Sequence, residues 1–279
     1  MIEHVTTTGL IDSHFHSIYM QDKGIDIQQH FSNLFSNGFL GGLDIGVEPG
    51  DTGARKALLN EFPQIRIASG LYPGLASAID KGTPLPEFLE ILENDIRTYS
   101  PSAVGEFGLD WYWDYGTKKI QKDLAAAQID LANSYNLPII IHNREADDDL
   151  AAILKSNKCK TGGIIHCFSS NWEIAKQLLD LNFYISFAGN VTYKNNSILR
   201  AVMEKIPGKR LLLETDSPYL SPVPRRGKIN TPENMPYIYN MAASVRNETV
   251  ESIINQVKEN FFQLFRNEKL VTINRLLKR

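Results

Sequence analysis

Residues 10–16 read LIDSHFH, a short apolar run that leads directly into two histidines. Side chains alternate between the two faces of a β-strand, so His14 and His16 should project to the same side. Four later apolar runs also carry a histidine or an acid at their ends. These runs are VGEFG at 104–108, IIIH at 139–142, GIIH at 163–166 and LLLETD at 211–216.

Eight apolar runs of strand length alternate along the chain with longer amphipathic segments. Their Ile, Leu and Val residues follow one another without polar alternation, which is typical of a parallel sheet buried on both faces. The predicted strands are residues 10–14, 39–46, 65–71, 103–107, 138–142, 162–166, 183–187 and 210–214. Eight strands alternating with helices predict an α/β fold, the (β/α)8 or TIM barrel, with its active site at the carboxyl ends of the strands.

One of the intervening segments shows the helical pattern well. Trp172, Ala175 and Leu178 fall on one helical face. Ser170, with Glu173 three residues later, has the spacing of a capping box, which predicts that this helix begins there.

Length and composition favour a single globular unit. An α/β barrel takes about 250 residues and no linker interrupts these 279, so we expect one domain over residues 1–279. Residues 1–6 lack the pattern of a signal peptide, no apolar stretch is long enough to span a membrane, and two cysteines make no disulfide framework. These features predict a cytoplasmic protein. The net charge of −3 argues against coating of nucleic acid, but not against local binding of a few phosphates.

The histidines and acids at the strand ends have the chemistry of metal ligands. Four histidines and two acids from five strand ends are enough to build a binuclear metal-hydrolase centre. The alternative is that each is an isolated polar residue at a strand end. By ligand softness the set suits Zn²⁺, Mn²⁺, Ni²⁺ or Fe²⁺, and Mg²⁺ is possible in an open phosphate site. The six candidate ligands are His14, His16, Glu106, His142, His166 and Asp216.

Several linked motifs between about residues 10 and 266 resemble the TatD family of metal-dependent deoxyribonucleases, which are amidohydrolase-like barrels. The motifs are DSHFH at 12–16, GEFGLD at 105–110, LPIIIHNR at 137–144, HCFS at 166–169 and ETDSPYL at 214–220. The resemblance implies that His14 and His16 bind one metal and that Glu106 bridges it to a second. His142 and His166 would complete the second position.

The same resemblance implies that Asp216 binds metal and handles the proton of the attacking water. Two departures from the family pattern are visible. The chain has Ser17-Ile18 where the family usually has Leu-Asp, and Asn230-Thr231-Pro232 where it often has Asn-Glu-Pro. Neither removes a predicted ligand, but both could alter the surroundings of the ligands or the substrate rim.

Basic and aromatic residues follow some of the predicted strands. Arg144, Arg225 and Arg226 are candidates for binding substrate phosphates, the alternatives being a salt bridge for Arg144 and a solvated basic loop for the pair. Residues 111–113 (WYW) could stack a nucleobase or pack a local core. Asp12 could orient a histidine or lie hydrogen-bonded near the mouth.

The sequence favours a metal-dependent phosphodiesterase of the deoxyribonuclease type, with DNA as substrate and two divalent metal ions (Mg, Mn or Zn) as cofactors. One alternative is hydrolysis of a carboxylic ester or amide on the same scaffold, for example removal of D-amino acids from tRNA. The other is a catalytically dead barrel kept as a scaffold, which should have lost one or more ligands. No membrane or protein partner is indicated.

Overall fold

Eight parallel strands, in the order in which they occur along the chain, form the sheet of this computed structural model, which describes residues 6–266. The strands are β1 (Ile11–Phe15), β2 (Gly41–Ile45), β3 (Ile65–Ser69), β4 (Ala103–Asp110), β5 (Ile139–Arg144), β6 (Gly163–Ile165), β7 (Phe183–Phe187) and β8 (Leu211–Leu213). Each predicted apolar run overlaps one of them, so the prediction of a TIM barrel is confirmed. The proposal of one domain over residues 1–279 stays a prediction.

The sheet curls until β1 meets β8, and a few specific bonds join these two strands. The backbone amide of Asp216 donates to the carbonyl of His14 at 2.9 Å, and that of His16 donates to the carbonyl of Ser217 at 2.9 Å. Lower in the barrel, the hydroxyl of Ser13 donates to the Leu213 carbonyl at 3.0 Å. The β1–β8 seam therefore joins two of the segments that carry candidate ligands.

Helices follow the strands and cover the outside of the barrel with their apolar faces. They are α1 (Ser17–Asp22), α2 (Ile27–Ser36), α3 (Thr52–Leu58), α4 (Ala76–Asp80), α5 (Leu85–Tyr99), α6 (Lys118–Tyr135), α7 (Asp147–Ser156), α8 (Trp172–Asp180), α9 (Ser197–Lys205), α10 (Met235–Arg246) and α11 (Val250–Leu264). In α8, for example, Ile174, Ala175 and Leu178 are buried. No helix within residues 6–266 is both long and apolar enough to cross a membrane.

The predicted start of α8 is wrong by one residue. The helix is capped by Asn171, whose side chain accepts a hydrogen bond from the amide of Ile174 at 3.1 Å, an arrangement that contributes about 1 kcal/mol. The Ser170 hydroxyl instead donates to Asp147 in the neighbouring helix α7. Both residue types can cap a helix, and the tertiary partner of Ser170 decides between them.

Two central strands are longer than predicted. β4 continues to Asp110 and β5 to Arg144, because residues 107–110 pair with residues 141–144 after a shift in register. Gly108, Asp110 and Asn143 in these extensions have low strand propensity, and pairing between the two strands outweighs it.

Candidate metal centre

Glu106 lies in the middle of β4 rather than at its end, which corrects the sequence-based placement. The register with β5 shifts between Gly105 and Phe107, so Glu106 falls at an irregularity that turns its side chain among the histidines. Gly105 has a φ of 148°, and a Cβ there would lie 2.6 Å from the Ile140 Cβ. Only glycine allows this close approach of β4 and β5.

The two carboxylate oxygens of Glu106 face two separate pairs of histidines. Its Oε2 lies 2.9 Å from His14 Nε2 and 3.8 Å from His16 Nε2. Its Oε1 lies 3.2 Å from His142 Nδ1 and 3.5 Å from His166 Nε2. One carboxylate with an oxygen toward each pair has the arrangement of a bridging ligand.

Asp216 joins this cluster from a loop beyond β8. Its Oδ1 lies 3.7 Å from His14 Nε2 and 3.5 Å from His16 Nε2. Its φ of 57° is uncommon for a residue with a side chain, although aspartate tolerates this region better than most. The six residues predicted from the sequence therefore come together at one mouth of the barrel.

Asp12 fixes the backbone on both sides of the β1–β8 seam. This fully buried carboxylate accepts hydrogen bonds from the amides of His14, at 3.2 Å, and Thr215, at 2.9 Å, and from the Thr215 hydroxyl at 2.5 Å. It contacts backbone rather than a histidine ring, so of its two predicted roles the structure favours the hydrogen-bonded one near the mouth. Through these bonds it sets the spacing between His14 and Asp216.

Three of the histidines are oriented through their second ring nitrogen. His142 Nε2 lies 3.0 Å from Asp110 Oδ2, His166 Nδ1 lies 3.2 Å from Glu214 Oε1, and His16 Nδ1 lies 3.2 Å from the Ile45 carbonyl. Such partners hold the ring and its tautomer while the other nitrogen faces the ligand cluster.

These three partners were not predicted from the sequence. Asp110 lies in the motif at 105–110 and Glu214 in the motif at 214–220, so their closeness in sequence to predicted ligands could have indicated a role as a partner of a histidine. The Ile45 carbonyl has no signal in the sequence, because every residue carries a carbonyl.

The electrostatics of the cluster favour anionic carboxylates. Burial would raise the pKa of Glu106, but the charge of His166 and hydrogen bonds from the imidazoles outweigh it and hold that pKa well below its usual range. Burial likewise opposes the ionisation of Asp216, but the hydrogen bond from His16 lowers its pKa. Glu106 in turn raises the pKa of His166 well above its usual range, despite burial. A cation entering the site would displace imidazole protons, so binding should release protons.

The donor set fits two divalent cations that share Glu106. Glu106 Oε2 is buried, and its 2.9 Å contact with His14 Nε2 lacks the geometry of a hydrogen bond, so this anionic oxygen is left under-satisfied in a way that a cation would relieve. The atoms of each candidate group lie within 4.8 Å of one another. The groups are His14, His16 and Glu106; Glu106, His142 and His166; and His14, His166 and Asp216.

The predicted substrate residues lie outside this cluster and are exposed, Arg144 as the last residue of β5 and Arg225 and Arg226 in the loop after β8. The Arg144 guanidinium stacks 3.8 Å from the centre of the Tyr112 ring, where the sequence allowed a salt bridge. Tyr112 and Trp113 are each 51% exposed, whereas Trp111 packs against the core. Trp111 therefore packs in the core, whereas Tyr112 and Trp113 remain candidates for stacking a nucleobase.

Arg225 and Arg226 lie in the loop that follows β8, at the carboxyl end of the barrel strands. Arg226 stacks 4.2 Å from the centre of the Tyr193 ring, and Arg225 is exposed beside it.

The two departures from the family pattern leave the candidate ligands in place. Ser17 is buried with its amide donating to Asp44, and the amide of Thr231 donates to Asn230.

Comparison with known proteins gives matches over most of the chain. Residues 11–266 match the family model described as TatD related DNase. A Bacillus subtilis protein named as an uncharacterized metal-dependent hydrolase is 46% identical over 165 residues, which are 59% of this chain and 65% of that protein. A Buchnera aphidicola protein named in the same way is 38% identical over 217 residues, which are 75% of this chain and 80% of the relative.

Solved structures show the same fold. The crystal structure of a TatD homolog from Escherichia coli K12 superimposes with a TM-score of 0.82 and 28% identity, covering 93% of this chain and 99% of the other. An uncharacterized amidohydrolase from Saccharomyces cerevisiae shares the fold at a TM-score of 0.75 and 17% identity, over 91% of this chain and 99% of that one. The family match spans all eight strands and the whole cluster, and the chain therefore belongs to the TatD-related DNase family.

Proposed function

We propose that this protein is a metal-dependent hydrolase that uses two divalent cations to cleave phosphodiester bonds in DNA. The observation that carries the proposal is the placement of Glu106, with one carboxylate oxygen 2.9 Å from His14 and the other 3.2 Å from His142. A carboxylate can serve two cations at once, whereas a neutral imidazole nitrogen serves one. The names of the relatives support metal-dependent hydrolysis, and the name of the family supports DNA as substrate.

In this proposal His14, His16 and Glu106 hold one cation, and Glu106, His142 and His166 hold the other. Two cations bound there would favour deprotonation of water and neutralise charge on the phosphate. Glu106 would set the spacing of the two cations, because the two oxygens of one buried carboxylate are a fixed distance apart.

Asp216 is the proposed general base. Its carboxyl is 13% exposed, so it is more open to solvent than Glu106, and its lowered pKa keeps it in the anionic form that can accept a proton. It takes a proton from the attacking water, whose oxygen bonds to phosphorus while the bond to the leaving ester oxygen breaks. The leaving oxygen then takes up a proton from solvent, and Asp216 releases the proton it took, so the site returns to its starting state.

The exposed rim supplies the proposed substrate contacts. Arg144 lies against Tyr112, and Arg226 lies against Tyr193, so both guanidinium groups are held over aromatic rings while remaining open to solvent. Phosphates of a single strand would pair with these arginines and with Arg225, and a base would stack on Tyr112 or Trp113. This local arrangement is compatible with a net charge of −3, because only a few phosphates are bound.

The proposal is tested with the purified protein and short single-stranded DNA. With Mn²⁺ or Mg²⁺ added, we expect release of nucleotides that stops when a chelator is added and resumes with excess metal. An aminoacyl-tRNA and a simple carboxylic ester should be assayed under the same conditions. DNA left intact across several metals, together with cleavage of either ester, would overturn the nuclease proposal and leave a metal-dependent hydrolase of another substrate class.

A further inference from the structure

The carboxyl end of β2 contributes none of the six candidate ligands, but it holds two of them in place. The Ile45 carbonyl lies 3.2 Å from His16 Nδ1, and the next carbonyl, that of Gly46, accepts a hydrogen bond from the amide of Glu106 at 3.2 Å. Asp44 accepts a hydrogen bond from the amide of Ser17 at 2.7 Å, directly after His16. The Asp44 carboxylate and the carbonyls of Ile45 and Gly46 therefore position both His16 and Glu106.

Arg55, in helix α3, holds residues 44–46 in place from the side facing the helix. Its side chain is 1% exposed, and its Nη1 donates to Asp44 Oδ2 at 2.9 Å. Its Nη2 donates to the Ala68 carbonyl in β3 at 2.6 Å, and its Nε donates to Asp51 Oδ1 at 2.9 Å. The planar guanidinium is the group that can reach a strand, its neighbour and the following loop at once, since its donors form a rigid fork.

The packing of Arg55 against residues 44–46 is tight. A Cβ added at Gly46 would lie 2.2 Å from Arg55 Nη2, so the guanidinium lies directly on the backbone that accepts from Glu106. A buried ion pair is often no more stabilising than apolar residues of the same size, so its presence here is not explained by stability alone. Arg55 instead contacts the segment whose carbonyls contact His16 and Glu106.

We propose that Arg55 is a positioning residue that sets His16 and Glu106 for the first cation. The inference rests on the proposed function, because it needs a cation held by His14, His16 and Glu106. The second position should depend on Arg55 less, because Glu106 is the one of its ligands that contacts residues 44–46, while Asp110 and Glu214 orient its histidines. The first position depends on Arg55 through both His16 and Glu106, and the second through Glu106 alone, so loss of Arg55 should weaken the first position more.

The test is a calorimetric titration of metal-free protein with Mn²⁺ in backgrounds that leave one position at a time. In His142→Ala, which retains the first position, Arg55→Lys should weaken Mn²⁺ binding by about 10-fold, the lower end of the loss when a group bonded directly to a ligand is changed, because Arg55 acts through residues 44–46. In His16→Ala, which retains the second position, Arg55→Lys should change the affinity by less than about 3-fold. Lysine keeps the charge but cannot reproduce the fork.

Arg246→Lys is the matched control. Arg246 is also largely buried, with Nε 2.9 Å from Glu248 Oε1 and Nη1 donating to the carbonyls of Met203 and Ile206, at 2.8 and 2.7 Å. None of its recorded partners is a candidate ligand, so Arg246→Lys should leave Mn²⁺ affinity unchanged in both backgrounds. A similar loss in Arg246→Lys would show that the effect of Arg55 is general destabilisation.

Gly46→Ala provides a second variant that keeps every charge and displaces the guanidinium. It should reproduce the selective loss at the first position, and it decides the question if Arg55→Lys is recovered unfolded. Equal weakening of both positions, or wild-type affinity at the first position in a folded variant, would overturn the positioning role while leaving two cation sites. If the unsubstituted protein bound no divalent metal, both this inference and the proposed function would be wrong.

Discussion

Replacing Glu106 with Gln should reduce the bound metal from two ions per chain to one or none and lower hydrolysis by at least about 100-fold. The substitution keeps the size of the side chain and removes the negative charge that faces both histidine pairs. Changes to groups that merely orient a ligand cost about 10- to 100-fold, and a shared ligand should cost at least the upper figure. Metal content is measured by elemental analysis after dialysis against metal-containing buffer.

An exposed glutamate provides the control for this substitution. Glu233, whose side chain is 58% exposed, has its ion-pair contact with His30 and belongs to none of the candidate ligand groups, so Glu233→Gln should keep two metals and normal activity. Near-normal activity with two metals in Glu106→Gln would contradict the bridging role. Loss of folding is checked by circular dichroism, because Glu106 is buried.

Asp216→Asn should lower the turnover number by about 10² to 10⁴-fold, which is the usual contribution of a general acid or base. The amide cannot accept a proton from the attacking water, but it leaves His14, His16 and Glu106 as ligands. We therefore expect most of the bound metal to remain while turnover is lost. Steady-state hydrolysis and metal content are measured on the same sample.

The double substitution Arg225→Ala and Arg226→Ala separates substrate binding from chemistry in the same assay. Loss of contacts made equally to substrate and transition state should raise KM for DNA with little change in kcat, most strongly at low salt. Full activity in Asp216→Asn would contradict its role as general base. An unchanged KM in the double variant would show that Arg225 and Arg226 belong to a solvated loop and do not bind substrate.

The fold could be predicted from the sequence because burial on both faces leaves unbroken apolar runs. The predicted run 183–187 coincides with β7, and every other run overlaps its strand. The extension of β4 to Asp110 could not be predicted, because it depends on pairing with β5 after a shift in register that the local sequence does not specify. Capping of α8 by Asn171 likewise depends on Asp147 as a distant partner of Ser170.

The residues that form the cluster could be predicted, but their mutual orientation could not. Alternation in a strand placed His14 and His16 together, although His16 in fact lies just beyond β1. The side of Glu106 that each histidine faces depends on distances across the barrel. Arg55 gave no signal at all, since a single arginine in a short helix reads as a surface residue and its burial follows only from the approach of β2 and β3.

Element-specific anomalous diffraction from crystals grown with Mn²⁺ or Zn²⁺ tests the central claim most directly. We expect two anomalous peaks per chain, one bound by Glu106 Oε2 with His14 and His16, and the other by Glu106 Oε1 with His142 and His166. A separation of about 4 Å is typical of two-metal sites. A single peak that does not contact Glu106, or two peaks without a shared ligand, would contradict a binuclear centre bridged by this carboxylate.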